Sequence, residues 1–277
     1  MSESFTLGLW NANGLQTTYI HDVLSHCLSF TALFITETWM LPPSRLPTEW
    51  LQFHTYGVPV EGHYRGSQGI TALISPHCSY PVSQVSLSSP YALGILLGPI
   101  KIICLYLPPS LSTDEFHNIL TSRHCNSMPV TSNTILCGDF NARMGDITGD
   151  YASNTRGTML HRWLTDRNLT LLNSTLSYGT PTFLSMRHSR PVSSIIDFFI
   201  TDLPLTSPSI DIDLDLSLGS DHKLLSLSFS YTSSSPTPSA PPPRHLWHLS
   251  RLRETDTHKL YVRSFTASSQ SLLSDLR

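Results

Sequence analysis

A short apolar run that stops abruptly at polar residues constrains this chain most: Ile135-Leu136-Cys137-Gly138-Asp139-Phe140-Asn141-Ala142. An apolar run of this length is typical of a buried strand. Polar residues directly after such a strand lie at its carboxyl end, where α/β folds commonly place their chemistry. On an extended backbone, side chains two residues apart point to the same side. We therefore expect Asp139 and Asn141 to hold one shared water, metal ion or phosphate.

The length and composition of the chain favour one large domain with an extension. The chain has 277 residues, of which 40% are hydrophobic, and this is enough for a sizeable core. The sequence contains no apolar run of membrane-spanning length, and Met1-Ser2-Glu3-Ser4 lacks the basic start of a secretory signal. We therefore expect a nuclear or cytoplasmic protein that does not bind a membrane.

The five cysteines are odd in number, widely spaced and form no Cys-x-x-Cys pair. This spacing favours neither a zinc site nor a disulfide framework. Cys104 and Cys137 lie inside apolar runs and are most simply residues of the core.

Charge is distributed unevenly along the chain. Residues 1–230 carry 11 Lys and Arg against 17 Asp and Glu, whereas residues 231–277 carry 6 against 3. An acidic body argues against loose, charge-driven binding to nucleic acid, so any DNA contact must be local. Fourteen of the 17 basic residues are arginines, which suit bidentate phosphate contacts. Solvated side chains in a compositionally biased sequence explain the same pattern equally well.

Strand-like and helix-like patterns alternate from Phe5 to about Phe229. The predicted strands cover 5–10, 31–36, 69–75, 93–97, 101–107, 134–137, 194–201 and 224–230. The predicted helices cover 15–28, 113–125 with Ser112 or Thr113 as its cap, and 155–167. The helices are too few for a fully parallel sheet. The pattern favours an α/β fold of four layers, with two packed mixed β-sheets flanked by helices.

The composition changes after Tyr231. Residues 231–243 are rich in Ser and Pro and predict a semi-rigid linker, so the domain is expected to span residues 1–230. Residues 244–277 are basic, amphipathic and too short for a second core, and we interpret them as the truncated start of a following region.

Polar residues recur at the ends of the predicted strands: Asn11, Glu37, Tyr106, Asp139 with Asn141, Asp197 and the triplet Ser220-Asp221-His222. Taken singly, each fits a structural role, such as a solvated strand end, a core tyrosine or a turn cap. The joint, ordered pattern favours a shared site.

In that order the sequence resembles the endonuclease/exonuclease/phosphatase superfamily, which includes DNase I, exonuclease III and the apurinic/apyrimidinic endonucleases. The resemblance covers residues 5–230. It is carried by Trp10-Asn11-Ala12-Asn13-Gly14-Leu15, Thr36-Glu37-Thr38-Trp39, Leu105-Tyr106-Leu107-Pro108, Gly138-Asp139-Phe140-Asn141-Ala142, Ile196-Asp197-Phe198 and Ser220-Asp221-His222.

Within that superfamily the sequence is most similar to the endonuclease domain of LINE-type (non-LTR) retrotransposons. Three features support this: Asn13, where repair enzymes tend to have Asp; Asn154-Thr155-Arg156-Gly157 leading to Leu171-Leu172-Asn173; and Pro181-Thr182-Phe183 before Asp197. The resemblance implies a DNA substrate. In longer relatives it implies retroelement RNA and a reverse transcriptase region as partners, and it leaves the oligomeric state open.

The resemblance implies a Mg²⁺ cofactor, with Mn²⁺ as a substitute, because hard cations prefer oxygen ligands. The implied metal ligands are Glu37, Asn11 and Asp221.

The implied catalytic residues are Asp139, Asn141, His222, Asp197 and Tyr106. Asp139 would orient or deprotonate the attacking water, with Asn141 beside it. His222, oriented by Asp197, would donate to the phosphate oxygens, and Tyr106 would add a hydrogen bond.

The implied substrate-binding residues are Thr182, Asn13 and Arg143. One position departs from the pattern, since related enzymes often carry Asn shortly after the proline that follows the tyrosine. Here Pro108 is followed by Pro109, which puts one phosphate contact in doubt.

The predicted function is a Mg²⁺-dependent DNA endonuclease that nicks one strand and leaves a 3′-hydroxyl, as in cleavage of a retrotransposon target site. Two alternatives stay open at this point. One is a phosphatase or phosphodiesterase of the same superfamily, and the other is an inactive, truncated fragment that binds nucleic acid.

Overall fold

The computed structural model describes residues 3–121, 133–187, 189–216, 218–232 and 255–275. The chain divides into two compact units, Met1–Ser233 and Ser234–Arg277. The second unit contains one described helix, Thr255–Asp275, and the first contains both large β-sheets. Most of the predicted linker and residues 122–125 of a predicted helix lie outside the described residues. No helix of the described ranges is both long and apolar enough to cross a bilayer.

The strands of the first unit are β1 (Glu3–Asn11), β2 (Ala32–Thr36), β3 (Leu51–Thr55), β4 (Val58–Pro59), β5 (Gly66–Ser67), β6 (Ile70–Ile74), β7 (Val82–Val85), β8 (Ala92–Leu97), β9 (Ile100–Tyr106), β10 (Thr134–Asp139), β11 (Thr170–Leu171), β12 (Phe183–Arg187), β13 (Arg190–Ser194), β14 (Asp197–Thr201), β15 (Thr206–Asp213) and β16 (Leu224–Tyr231). The α-helices are α1 (Ile20–Ser25), α2 (Thr113–Thr121), α3 (Thr155–Asp166) and α4 (Asn173–Leu176), followed by α5 (Thr255–Asp275) in the second unit. Short 3₁₀ helices cover Thr17–Tyr19 and Gly145–Ile147.

Two six-stranded mixed sheets form the body of the domain. The first has the strand order β15-β16-β1-β2-β6-β3 and the second has the order β11-β14-β10-β9-β8-β7. Each sheet contains one parallel pair, β1 with β2 and β9 with β10, and the remaining pairs are antiparallel. The hairpins β4-β5 and β12-β13 form small separate sheets.

Apolar side chains fill three layers of core. One cluster lies between the sheets and includes Leu7, Phe34, Ile102 and Phe199. A second cluster packs α2 and α3 on the outer face of the second sheet, and a third packs α1 on the outer face of the first sheet. The order helix, sheet, sheet, helix confirms the predicted four-layer α/β architecture.

Local sequence signals account for where the two main helices, α2 and α3, begin. At α2, Ser112 Oγ accepts a hydrogen bond from Glu115 N at 3.2 Å, while Glu115 Oε2 accepts from Ser112 N at 2.8 Å. This reciprocal capping box confirms Ser112 as the cap. At α3, Asn154 Oδ1 accepts from Gly157 N at 2.8 Å. The buried side chains of α3 are spaced so that one face of the helix meets the second sheet.

The prediction of a single strand over 194–201 was wrong. Three consecutive backbone N–H groups donate to side chains instead of to a neighbouring strand: Ile195 N to Asp150 Oδ2, and both Ile196 N and Asp197 N to Thr182 Oγ1. The ladder is therefore interrupted, and β13 and β14 form in its place.

Candidate active site

Strand alternation brings four of the predicted site residues to one edge between the sheets. In β1, β9, β10 and β14 the side chains that face the other sheet alternate with those that face outward. Asn11, Tyr106, Asp139 and Asp197 fall on the inward-facing positions at strand ends. Asp139 pairs with Tyr106 on one side and with Asp197 on the other, so these three lie in one row of the second sheet.

Asn11 links the two sheets through its side-chain nitrogen. Nδ2 donates to Glu37 Oε1 at 2.8 Å and to Asp139 Oδ2 at 2.9 Å. Asn11 Oδ1 accepts from Asn13 N at 2.9 Å, and the exposed Asn13 lies in a left-handed conformation with φ of 45°. Both carboxylates are therefore held at the same point by one amide group.

Glu37 is half-buried and lies directly after β2. Its second oxygen, Oε2, accepts from the indole Nε1 of Trp39 at 3.3 Å. Glu37 and Trp39 both adopt positive φ, 50° and 53°, which is uncommon for such residues. Backbone strain of this kind persists where the surroundings over-determine it and clusters at functional sites.

Asn141 meets Asp139 through a turn and not along an extended strand. The strand β10 ends at Asp139, and Asn141 has φ of 48°. Its backbone N donates to Asp139 Oδ1 at 2.9 Å and its Nδ2 donates to Asp139 Oδ2 at 3.1 Å. The two side chains meet as expected. The expectation that they do so on an extended strand is wrong, because Asn141 lies beyond the end of β10.

Gly138 is required at the end of β10. Its φ is 144°, and a Cβ at this position would lie 1.9 Å from the carbonyl oxygen of Leu105 on β9. A side chain is therefore excluded by the neighbouring strand, which explains the glycine immediately before Asp139.

His222 and Asp197 form a buried pair beside Asp139. His222 Nδ1 lies 3.0 Å from Asp197 Oδ2, and His222 Nε2 lies 3.9 Å from Asp139 Oδ2. Burial opposes the imidazolium, but the carboxylates of Asp197, Asp139 and Glu37 outweigh it and raise the pKa of His222 to about 9. The imidazole is therefore charged at neutral pH, with Nδ1–H directed at Asp197.

Burial also raises the pKa of the Asp139 carboxyl to about 7, and the charge of Asp197 adds to this rise. The charge of His222 and the hydrogen bonds from Asn141 and Asn11 act in the opposite direction. A carboxylate with this pKa suits proton transfer near neutral pH. Tyr106 is 5% exposed, and burial together with Glu37 and Asp139 raises the pKa of its phenol well above the usual range, so it keeps its proton.

The donor set fits a hard divalent cation. Asp139, Asp197 and His222 bring carboxylate oxygens and a ring nitrogen within 4.8 Å of one another. The two carboxylates are the cation ligands of this group, because the imidazolium form of His222 has no free lone pair. Asp197 Oδ1 is buried and has no hydrogen-bond partner among the described residues, so one carboxylate oxygen is available. Carboxylate and amide oxygens are the ligands that Mg²⁺ prefers.

Three predicted site residues make contacts outside this cluster. Asp221 Oδ2 accepts from Ser185 Oγ at 2.8 Å. Thr182 is fully buried, and its hydroxyl oxygen accepts the two backbone N–H groups described above. Arg143 holds the Asp150 carboxylate with Nε and Nη2 and covers the ring of Tyr151. Thr182, and Arg143 through Asp150, support the backbone before Asp197. The metal and substrate roles assigned to the three residues stay predictions.

Two supporting residues were not assigned any role from sequence. Ser220 Oγ donates to Asn11 O at 2.7 Å and accepts from His222 N at 3.1 Å, so it ties β1 to the histidine. Asn173 Nδ2 donates to Asp197 O, and its Oδ1 accepts from Phe199 N at 2.8 Å. Both lie in motifs quoted for the family resemblance, which was the available signal.

A cavity of about 550 Å³ opens beside Glu37 and Tyr106. One wall is the segment Pro108–Ser110, and the facing wall comes from Trp39 and the β4-β5 hairpin, including His63 and Arg65. The Arg65 guanidinium carbon lies 5.9 Å from the centre of the Trp39 ring. The cavity thus brings the Glu37 carboxylate next to a surface with a cation and an aromatic ring.

Comparison with known proteins identifies this arrangement. Residues 100–226 match the family model described as Endonuclease-reverse transcriptase. The structure of the endonuclease domain of TRAS1, a telomere-specific non-LTR retrotransposon, superimposes with a TM-score of 0.62 at 17% identity, covering 82% of this chain and 98% of that one. The fold is that of the endonuclease/exonuclease/phosphatase superfamily.

Two further nucleases superimpose to a similar extent. The AP endonuclease LMAP from Leishmania major gives a TM-score of 0.60 at 13% identity, with coverage of 83% of this chain and 88% of that one. The 3′-5′ exonuclease NExo from Neisseria meningitidis gives 0.60 at 16% identity, with coverage of 82% and 100%. No curated protein matches the chain by sequence. The superfamily resemblance seen in the sequence is confirmed, and at these identities the structural likeness establishes the fold.

Proposed function

We propose that the chain is a Mg²⁺-dependent DNA endonuclease that hydrolyses one phosphodiester bond and leaves a 3′-hydroxyl and a 5′-phosphate. The observation that carries the proposal is the junction at Asn11, where hydrogen bonds from one amide reach Glu37 of the first sheet and Asp139 of the second. Asp139 in turn lies beside the His222–Asp197 pair. An acid, a base and a candidate metal ligand thus surround one point, as hydrolysis of a phosphodiester requires.

Glu37 would hold the metal ion, and Asn11 Nδ2, which donates to Glu37 Oε1, would orient that carboxylate. The Asn11 Oδ1 atom, the one that could ligate a cation, accepts from Asn13 N. When bound, Mg²⁺ neutralises negative charge on the phosphate and on the leaving oxygen. Trp39 donates to Glu37 Oε2 and so fixes the direction of the carboxylate. Glu37 has a positive φ directly after β2, and in this conformation its side chain points toward Asn11.

Asp139 would orient the attacking water and accept its proton. Oδ1 accepts from Asn141 N, and Oδ2 accepts from the side chains of Asn11 and Asn141. These bonds fix both oxygens, and burial brings the pKa to about 7, which is near the optimum for a base in neutral solution.

His222 would bind the phosphate oxygens as negative charge develops on them. Asp197 holds Nδ1–H, so Nε2–H is the group left to face the substrate beside Asp139. A preorganised cationic donor in a buried site stabilises the charge of the transition state more strongly than the same donor would in water. Tyr106 keeps its proton and would donate a further hydrogen bond from the cavity wall.

A plasmid-nicking assay tests the proposal. Supercoiled DNA should convert to open circles in Mg²⁺ and stay supercoiled in EDTA, and ligation of the nick should require no phosphatase treatment. Turnover of inositol phosphates or release of terminal phosphate without nicking would favour the phosphatase alternative. Binding of DNA without cleavage in Mg²⁺ or Mn²⁺ would contradict the proposal.

The variant Asp139→Ala should nick about 10²- to 10⁴-fold more slowly, which is the range for losing a general base. Asp166→Ala is a matched control, because Asp166 is an exposed carboxylate on α3. Cleavage by Asp139→Ala at the wild-type rate would show that Asp139 is not the base.

A further inference from the structure

The segment Asn154-Thr155-Arg156-Gly157 has no role in the chemistry described so far. Arg156 is 9% exposed, although arginines are seldom buried without a partner. Within the described ranges no carboxylate lies at ion-pair distance from its guanidinium. The partners are instead backbone carbonyl groups, and all of them belong to the segment that follows Tyr106.

Arg156 donates to four carbonyl oxygens of that segment. Nη1 donates to Leu107 O at 3.4 Å and Pro108 O at 3.0 Å, and Nη2 donates to Pro109 O at 3.2 Å and to Leu111 O. Its guanidinium carbon also lies 5.3 Å from the centre of the Phe116 ring on α2. One side chain therefore supplies the donors for almost the whole of residues 107–111, which we call the proline loop.

The two prolines explain why such a residue is needed. Pro108 and Pro109 lack N–H groups, so the chain cannot continue β9 as a paired strand. Carbonyls left in a partly buried position need donors from elsewhere. The planar guanidinium meets this need because its donors point in several fixed directions, whereas a lysine ammonium is a single point charge.

The proline loop touches both halves of the proposed reaction site. Leu107 N donates to Asp139 O at 2.9 Å, and Asn141 Nδ2 donates to Leu107 O at 3.3 Å. Farther along the loop, Pro108, Pro109 and Ser110 form a wall of the cavity that Glu37 and Tyr106 line. A shift of the loop would move the cavity wall and the support of Asp139 together.

Asn154 connects the start of α3 to the other side of the site. Its Oδ1 accepts from Arg143 N at 3.1 Å, and its Nδ2 donates to Asn141 O at 3.3 Å. Gly157 permits this close approach, since a Cβ there would lie 1.8 Å from Arg143 O. The first turn of α3 is thus bonded both to the Asn141 segment and, through Arg156, to the proline loop.

We propose that Arg156 is a positioning residue of the hydrolase site: the first turn of α3 is a clamp that holds the proline loop against Asp139 and Asn141. Arg156 thereby donates the hydrogen bonds that a neighbouring strand would donate if Pro108 and Pro109 allowed strand pairing. This inference rests on the proposed function only for its effect on catalysis, because the clamp itself is measurable without substrate.

The test compares Arg156→Lys with Arg162→Lys, since Arg162 lies on the same helix with its side chain 85% exposed. In hydrogen exchange, Arg156→Lys should lose protection at the amides of Leu107 and Leu111, which donate to Asp139 O and Pro108 O, while Arg162→Lys should match the wild type. At a temperature where both variants are folded, kcat/KM for plasmid nicking should fall on the order of 10²-fold in Arg156→Lys alone. Millimolar guanidinium should partly restore the rate of Arg156→Ala.

Each outcome decides the matter. Unchanged exchange in Arg156→Lys, or wild-type kcat/KM in the folded variant, overturns the clamp, because a merely structural arginine lowers the melting temperature and leaves the rate of the folded enzyme unchanged. If Arg156→Lys does not fold, Asn154→Ser, which keeps an N-cap oxygen, must show the same two losses to a smaller degree, and the absence of either loss overturns the clamp. If the wild type itself does not nick DNA, the proposed function fails while the exchange comparison still judges the clamp.

Discussion

His222 and Asp197 are joined by a hydrogen bond of 3.0 Å between the imidazole Nδ1 and the carboxylate Oδ2, and both side chains are buried. With the Nδ1 proton directed at Asp197, Nε2 lies 3.9 Å from Asp139 Oδ2. The edge of the Phe183 ring contacts the imidazole at a centroid distance of 5.0 Å, which restricts rotation of the ring. The pair is therefore fixed in both protonation and direction.

Replacement of Asp197 by Asn should disable this pair without emptying its space. The amide removes the negative charge that stabilises the imidazolium, so the pKa of His222 should fall. The neutral tautomer with its proton on Nε2 and none on Nδ1 then becomes available. We expect kcat at pH 7 to drop by about 10²- to 10⁴-fold, by analogy with loss of the orienting carboxylate in a triad. Asp166→Asn is the control, and an unchanged pH–rate profile in Asp197→Asn would count against the pair.

Stability should fall as pH rises from 6.5 to 9 in the absence of metal. The pKa of His222 is about 9 in the folded protein and 6.5 ordinarily, so its stabilisation is complete below pH 6.5 and is lost as pH rises through 9. One proton corresponds to about 1.4 kcal/mol per pH unit, or about 3 to 6 °C of melting temperature per pH unit in a domain of this size. Thermal melts in EDTA should show this decline, and His222→Gln should flatten it. An equal slope in the variant would contradict the assignment.

Metal binding should be visible in tryptophan fluorescence through Trp39. Its indole N–H donates to Glu37 Oε2, so a cation at Glu37 changes the surroundings of the ring. We expect Trp39→Phe to abolish the Mg²⁺-dependent signal and to weaken Mg²⁺ binding about 10-fold by calorimetry, the usual cost of losing an outer partner of a metal ligand. Trp163→Phe, at a buried indole on α3, should keep the signal. A signal that survives in Trp39→Phe would place the ion elsewhere.

Substitution of Gly138 should damage the fold more than substitution of another glycine with positive φ. Gly138→Ala puts a methyl group against Leu105 O, whereas Gly62→Ala at φ of 76° meets nothing within 4 Å. Both variants carry a conformational cost of about 1 to 2 kcal/mol for an L-residue at positive φ. Only Gly138→Ala adds a backbone clash, for a total of about 4 kcal/mol or more. Urea denaturation measures the difference, and equal losses in the two variants would refute the steric explanation.

Strand alternation made much of the site accessible from the sequence. Once Asn11, Tyr106 and Asp139 were placed at strand ends, period-two alternation put each on the face between the sheets. The parallel pairing of β9 with β10 then put Tyr106 beside Asp139. The apolar runs also indicated two buried sheets, because β2, β6 and β14 are buried along their whole length.

The remaining details depend on side chains that bond to distant backbone, which no local pattern encodes. Thr182 breaks the strand before Asp197, and Arg156 binds carbonyls more than 40 positions earlier in the chain. Short edge strands such as β7 and the polar hairpin β12-β13 lack apolar alternation, so they were missed. Residues whose contacts span the molecule can be recognised only when the fold is known.

The distance between the Glu37 and Asp139 carboxylates depends on the packing of the core between the two sheets. Glu37 is carried by one sheet and Asp139 by the other, so their separation follows the thickness of the apolar layer between them, typically about 10 Å from sheet to sheet. A change in side-chain volume at Phe34 or Leu93, deep in that layer, would widen or narrow the gap that Asn11 spans. Substitutions that touch neither carboxylate can therefore change the distance between Glu37 and Asp139.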